Sequence, residues 1–265
     1  MSQPSDPKAP SGQAQLPFGA RADRARQPGT LRAALANLRP GRTVCVFDLD
    51  STLLRNQQRQ ARIFREYGAA HGDPRFLLCT PQHVVSWDLR DAALLLGLTA
   101  AEAEAHHAAL REFWRARFFT SDYCKDDEPV PGARQFLAEV VRAGGRILYV
   151  TGRHAAMGPG TEESFRRAGF PMPAGKGATW PAQVELWLKP DEAQADDAWK
   201  QQCHKALAQQ GGIAMAFDNE PAHVNGYKER FPGAAVVHLD TDHSQRPIAV
   251  RDDIPSVADF RLELP

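Results

Sequence analysis

The chain has 265 residues, zero formal net charge, 43% hydrophobic and 24% charged residues, the make-up of an ordinary globular protein with one large domain or a core plus an insertion. The neutral balance and the lack of a basic stripe argue against a nucleic-acid partner, and no apolar run is long enough to span a bilayer. Cys45, Cys79, Cys124 and Cys203 are far apart, without metal-type spacing. They read as free thiols of a reducing compartment, so a cytoplasmic protein is expected.

Residues 1–29 are rich in Pro, Gly, Gln, Ala and Ser and read as a flexible tail. Arg21, Arg24 and Arg26 suggest a transit peptide, but the early prolines and Asp6 oppose an amphipathic helix. A short helix is expected over 30–38 with Thr30 as its cap. Residues 43–47, ending Val-Cys-Val-Phe, predict a buried strand. Asp48 and Asp50 follow at its carboxyl end, where open α/β sheets bind ligands. Ser51 and Thr52 supply a turn that brings Asp50 round towards Asp48.

About 75 residues of helical character follow, over 56–70, 82–96 and 99–119. Thr99 and Glu102 have the spacing of a capping box. Arg59, Arg62 and Arg65 read as a solvated helix face, with substrate steering as the alternative. Phe113, Trp114, Phe118 and Phe119 read as packing or lid residues. His106 and His107 are adjacent and diverge on a helix, which makes a poor metal pair.

Strand–helix alternation resumes at Pro131. A helix is expected over 131–143, then a strand over 146–150 that runs into Thr151, Gly152 and Arg153. A helix over 161–168 leads to a strand over 183–188 ending at Lys189. A helix over 196–209 precedes a strand over 213–217, which ends at Asp218, Asn219 and Glu220. The last strand, 235–239, runs into Asp240, Asp242 and His243, read as a solvated loop rather than a second metal site. Cys203 and His204 diverge on their helix and form no dyad. Such alternation predicts a parallel sheet with its strand ends on one edge. Asp48, Asp50, Thr151, Lys189 and Asp218 therefore meet there.

The set FDLDST, YVTGR, LKP and FDNEP resembles the four motifs of the haloacid dehalogenase (HAD) superfamily, over about residues 43–240. The resemblance implies a HAD-like, Rossmann-like doubly wound parallel sheet with an inserted α-helical cap of C1 type. The tail would then be 1–29, the core 30–54 with 129–265, and the cap 55–128. It also implies a Mg²⁺-dependent phosphatase acting on a small phosphorylated metabolite. Asp48 matches the nucleophile that forms an aspartyl-phosphate, and Asp50 the general acid and base. Family dehalogenases lack that second acid, because a halide leaves without a proton. Thr151, Gly152 and Lys189 match the phosphate-binding positions. Arg153 is either a substrate contact or the partner of an acid. Asp48, the Asp50 carbonyl and Asp218 match the metal ligands.

This chain departs from the pattern in motif four, where Asn219 and Glu220 stand in place of a second Asp. Asn219, then Glu220, then Asn225 are the candidates to complete the metal site. Arg59, Arg62, Arg65, Trp87, Arg90 and Trp114 are the candidates for substrate choice, with hinges near 53–56 and 125–131. A phosphoryl transferase or phosphomutase, or a HAD-like binding protein without turnover, is the alternative. Oligomeric state is not legible.

Overall fold

A computed structural model describes residues 20–40, 42–173, 184–244 and 246–263. Its strands are Val44–Phe47 (β1), Leu54–Arg55 (β2), Glu128–Pro129 (β3), Arg146–His154 (β4), Val184–Lys189 (β5), Met215–Asp218 (β6), Ala235–Leu239 (β7) and Ser256–Val257 (β8). The α-helices are Gln27–Ala36 (α1), Gln57–His71 (α2), Pro74–Leu77 (α3), Leu89–Leu95 (α4), Ala100–Phe118 (α5), Ser121–Cys124 (α6), Ala133–Arg142 (α7), Gly158–Ala168 (α8), Asp196–Gln209 (α9) and Pro221–Arg230 (α10).

Six strands form a parallel sheet in the order β5-β4-β1-β6-β7-β8. The central strand β1 is buried at all four residues, so it is apolar throughout rather than alternating. Its two faces still separate. Cys45 and Phe47 join the apolar cluster built with Leu31 of α1, Phe136 of α7 and Phe165 of α8. Val44 and Val46 join the opposite cluster, with Leu207 of α9 and Val224 and Tyr227 of α10. Helices thus cover both faces, and the doubly wound α/β architecture with inserted helices is the one observed.

Helices α2 to α6 lie between β1 and β4 in the chain. They carry an apolar cluster of their own, around Phe64, Tyr67, Phe76, Leu89 and Leu110. The chain leaves the core through β2 and returns through β3, and these two pair antiparallel, Leu54 with Pro129 and Arg55 with Glu128. Both expected hinge segments meet in this ribbon. Thr99 and Glu102 form the anticipated reciprocal cap on α5.

Several expectations change. Of the stretch 1–29 read as a tail, residues 1–19 lie outside the described residues, whereas 20–29 are anchored. The Arg21 and Ala22 amides donate to Asp240, and the buried Gln27 amide donates to Asp259. Helix α1 begins at Gln27 with Pro28 in its first turn, not at Thr30. The helix expected over 82–96 is interrupted, because Asp88 caps a new helix at the Arg90 amide and leaves 84–88 irregular. The strand after α7 runs on to His154. Residue 183 of the next expected strand lies outside the described residues. Helix α10, with Pro221 in its first turn, was not anticipated.

Candidate active site

The carboxyl ends of β1, β4, β5 and β6 bring Asp48, Asp50, Thr151, Gly152, Arg153, Lys189, Asp218 and Asn219 to one cleft of about 590 Å³ beneath α5. After β1 the chain doubles back. The Leu54 amide donates to the Leu49 carbonyl and the Ser51 amide to the Leu54 carbonyl. Ser51 itself has φ 59°, in the left-handed region. That turn separates the two acids into different surroundings.

Asp48 shares a cation with Asp218. The Lys200 ammonium, 2% exposed, lies 2.8 Å from Asp48 Oδ1, 2.8 Å from Asp218 Oδ2 and 2.8 Å from the Val150 carbonyl. Asp218 also accepts the Glu220 amide at 2.9 Å and lies 3.4 Å from His223 Nδ1. Burial alone would raise the Asp218 carboxyl, but Lys200 and His223 outweigh it and hold the group below the usual carboxylate range. Burial pushes Asp48 up to about 7, and Lys200 only partly offsets this. Both carboxylates thus meet at one ammonium, with His223 beside Asp218.

Asp50 sits in a different network. Arg153 donates to it at 2.8 and 2.9 Å, and Arg59 of α2 at 2.5 Å. Asp127, just before β3, binds both arginines in turn, at 2.9 Å to Arg59 and 2.5 Å to Arg153. The result is a closed ring of two acids and two arginines, with Arg59, Asp127 and Arg153 buried. Burial would raise Asp50, yet Arg153 and Arg59 hold it well below the ordinary range. For Asp127 burial wins, and it is pushed up to about 6.

The remaining predicted residues divide. Arg153 pairs with acids rather than standing free, and its amide donates to the Thr151 hydroxyl at 3.2 Å. A Cβ on Gly152 would lie 2.7 Å from the Asp196 carboxylate, which would have to shift. Lys189 lines the cleft but donates to Asp196 at 2.7 Å and to the Gln194 carbonyl, not to Asp48 or Asp218. The Asn219 side chain is spent on Thr52 and the Asp242 carbonyl. Glu220 is held by Ser244 and Arg246, and Asn225 by the 249–251 backbone. None of the three is turned to Asp48.

Among the substrate-choice candidates, Trp87 and Trp114 line the cleft. Arg62 pairs with Glu66, Asp122 and Asp126, Arg65 donates to the Cys79 carbonyl, and Arg90 pairs with Asp88 and Glu104. The expected solvated arginine face is therefore corrected for Arg59, which is fully buried.

Lys200, Asp127 and His223 carry no expectation from the sequence, and Arg59 was read as a substrate-choice candidate rather than as the partner of Asp50. Lys200 left a signal, because it shares the buried face of α9 with Cys203 and Leu207 at helical spacing. A lysine in an apolar stripe must find a carboxylate.

No cluster of three or more His, Cys, Asp or Glu able to hold a metal is found among the described residues. Asp48 and Asp218 nonetheless bring two carboxylates to the cleft, joined through Lys200. Mg²⁺ needs only one or two carboxylates besides water and phosphate oxygens, so the residues fit it.

No family model matches the chain, and no curated protein does. Solved structures with a remote likeness include a haloacid dehalogenase-like family hydrolase of Streptococcus pneumoniae (13% identity, 82% of this chain and 95% of that one, TM-score 0.44). Protein tyrosine kinase A of Mycobacterium tuberculosis is 18% identical over 83% of this chain and 94% of its own, with TM-score 0.48. CbbY of Rhodobacter sphaeroides, in complex with phosphate, is 18% identical over 82% and 94%, with TM-score 0.42. At such scores neither activity nor ligand is drawn from them.

Proposed function

We propose that the chain is a HAD-like, Mg²⁺-dependent phosphatase that hydrolyses a small phosphoester through an aspartyl-phosphate at Asp48. One observation carries this reading. A buried lysine bridges Asp48 and Asp218 at the carboxyl edge of the sheet, beneath a cleft large enough for a small ligand.

Asp48 attacks phosphorus, and the ester P–O bond breaks as the aspartyl O–P bond forms, the leaving oxygen taking a proton from the protonated form of Asp50. Lys200 keeps Asp48 aimed and favours its ionised form against burial, and it offsets the negative charge gathering there. Asp48, the Asp50 carbonyl and Asp218 would hold Mg²⁺, which would supply positive charge against the carboxylates and the phosphoryl group. Thr151 and the Gly152 amide bind those oxygens, with Lys189 at the cleft wall. In the second half-reaction Asp50 takes a proton from the attacking water as its oxygen bonds phosphorus and the aspartyl O–P bond breaks, releasing phosphate, a role suited to a carboxylate held ionised by Arg59 and Arg153. Residues 55–128 serve as the cap over the core of 30–54 and 129–265.

The test is Asp48→Asn, assayed with p-nitrophenyl phosphate and Mg²⁺. Turnover should vanish while the circular-dichroism spectrum stays native, and EDTA should silence the unsubstituted protein until Mg²⁺ is returned. Retained turnover in Asp48→Asn overturns the mechanism.

A further inference from the structure

The roof of the cleft bears on which leaving group the enzyme releases, an inference that rests on the phosphatase reading above. Above the phosphate chemistry stand Trp87, Trp114, Phe118 and Phe119. Trp114 stacks on Phe118 with centroids 4.3 Å apart, and Trp87 meets both edge-on at 6.3 and 5.6 Å. Phe119 meets Trp114 edge-on at 5.6 Å. Phe118 is buried, whereas both tryptophans and Phe119 stay partly open while lining the cleft. Rings needed only to fill the cap would be covered. Trp87 comes from the irregular stretch before α4, so its place here is no by-product of a helix's apolar stripe.

Two polar groups beside these rings are committed elsewhere, while Arg111 also lines the cleft. The Trp114 indole N–H donates to Gln60 inside the cap at 3.3 Å. Arg115 is held by two hydrogen bonds to Glu192 across the cleft mouth. A sugar or polyol seated here would bury hydroxyls against ring faces without partners. A planar ring would complete the edge-and-face packing already present.

We propose that the substrates are phosphomonoesters whose leaving group carries an aromatic ring, seated against Trp87, Trp114 and Phe119. The ring is either bonded close to the ester oxygen or held one sugar away. Two matched pairs of esters distinguish these sources without changing the leaving alcohol greatly. They are benzyl against cyclohexylmethyl phosphate, and adenosine 5′-monophosphate against ribose 5-phosphate.

The full chain with Mg²⁺ should show kcat/KM on the order of tenfold higher for the aromatic member of at least one pair. Trp114→Leu and Trp87→Leu, each checked for an unchanged thermal midpoint, should collapse that preference mainly through KM. Hydrolysis of all four esters with no preference in either pair overturns this inference and leaves the phosphatase reading standing. A preference that survives both substitutions removes the aromatic roof as its cause and also overturns it. No turnover of any ester overturns the phosphatase reading itself, and this inference with it.

Discussion

Lys200 Nζ lies 2.8 Å from Asp48 Oδ1, with both side chains almost wholly out of solvent. Burial would lower the lysine, but Asp218 and Asp48 outweigh it and hold the ammonium charged. Removing that charge strands two carboxylates, a change that typically costs about 3–5 kcal/mol for a buried pair. Lys200→Met should therefore lower the urea midpoint strongly and reduce kcat by roughly 10²–10³-fold. Lys189→Met is the contrast. Its partner Asp196 is 56% exposed, so stability should move by less than about 1 kcal/mol. Urea denaturation of the two variants side by side ranks the two lysines.

Asp127 competes with Asp50 for the same two guanidinium groups. Replacing it by Asn keeps the shape and leaves Arg59 and Arg153 to Asp50 alone, which lowers the Asp50 carboxyl further and leaves it less often protonated for the leaving oxygen. Because burial pushes Asp127 up to about 6, it is already neutral in acid, and the substitution should matter only above that pH. The expected outcome is unchanged kcat at pH 5. At pH 8, kcat for alkyl phosphates should fall up to about tenfold, with p-nitrophenyl phosphate little affected because its leaving group needs no proton. An equal loss on both ester types would show that Asp127 acts through the fold and not through Asp50.

What was legible in the sequence was whatever a strand end announces. Asp48, Thr151, Lys189 and Asp218 each stop an apolar run, and a parallel sheet gathers such ends on one edge. Lys200, Arg59 and Asp127 belong to the same site but sit within helices or just before a two-residue strand. There a charged residue looks like any solvated one until its neighbours in space are known. Lys189 closes a strand and so matches a phosphate-binding position, yet it donates to Asp196. Lys200 reaches the acids because α9 turns it inward. The break at 84–88 was missed for a local reason, since Asp88 preferred to cap a helix start and outweighed the helix-forming residues around it.

The inserted helices are seated on the sheet's helices through a position that tolerates no side chain. A Cβ on Gly160 of α8 would fall 1.9 Å from the Ser121 carbonyl oxygen of α6, and the Gly160 amide donates to the Ser121 hydroxyl at 2.5 Å. Backbone cannot swing aside as a flexible side chain does. Gly160→Ala should destabilise by about 1–3 kcal/mol, and it should raise KM by displacing α6 and the end of α5 that precedes it. Gly29→Ala in α1, where nothing lies within 4 Å, should instead stabilise by about 0.4–1 kcal/mol. Thermal midpoints of opposite sign for the two substitutions are the expected result.

Asp242 carries a buried carboxyl whose Oδ1 has no hydrogen-bond partner among the described residues. Burial pushes it up to about 8. Between its unfolded value near 3.8 and about 8, the folded state holds a proton that the unfolded state has lost. This group therefore disfavours folding increasingly as pH rises through that window, and its effect levels off above it. Asn at the same position never ionises. Asp242→Asn should match the parent in urea midpoint near pH 4 and exceed it progressively towards pH 8. The difference should reach several kcal/mol, at about 1.4 kcal/mol per pH unit in the limit. A constant difference between the two proteins from pH 4 to pH 8 would mean that Asp242 is ionised in the folded state.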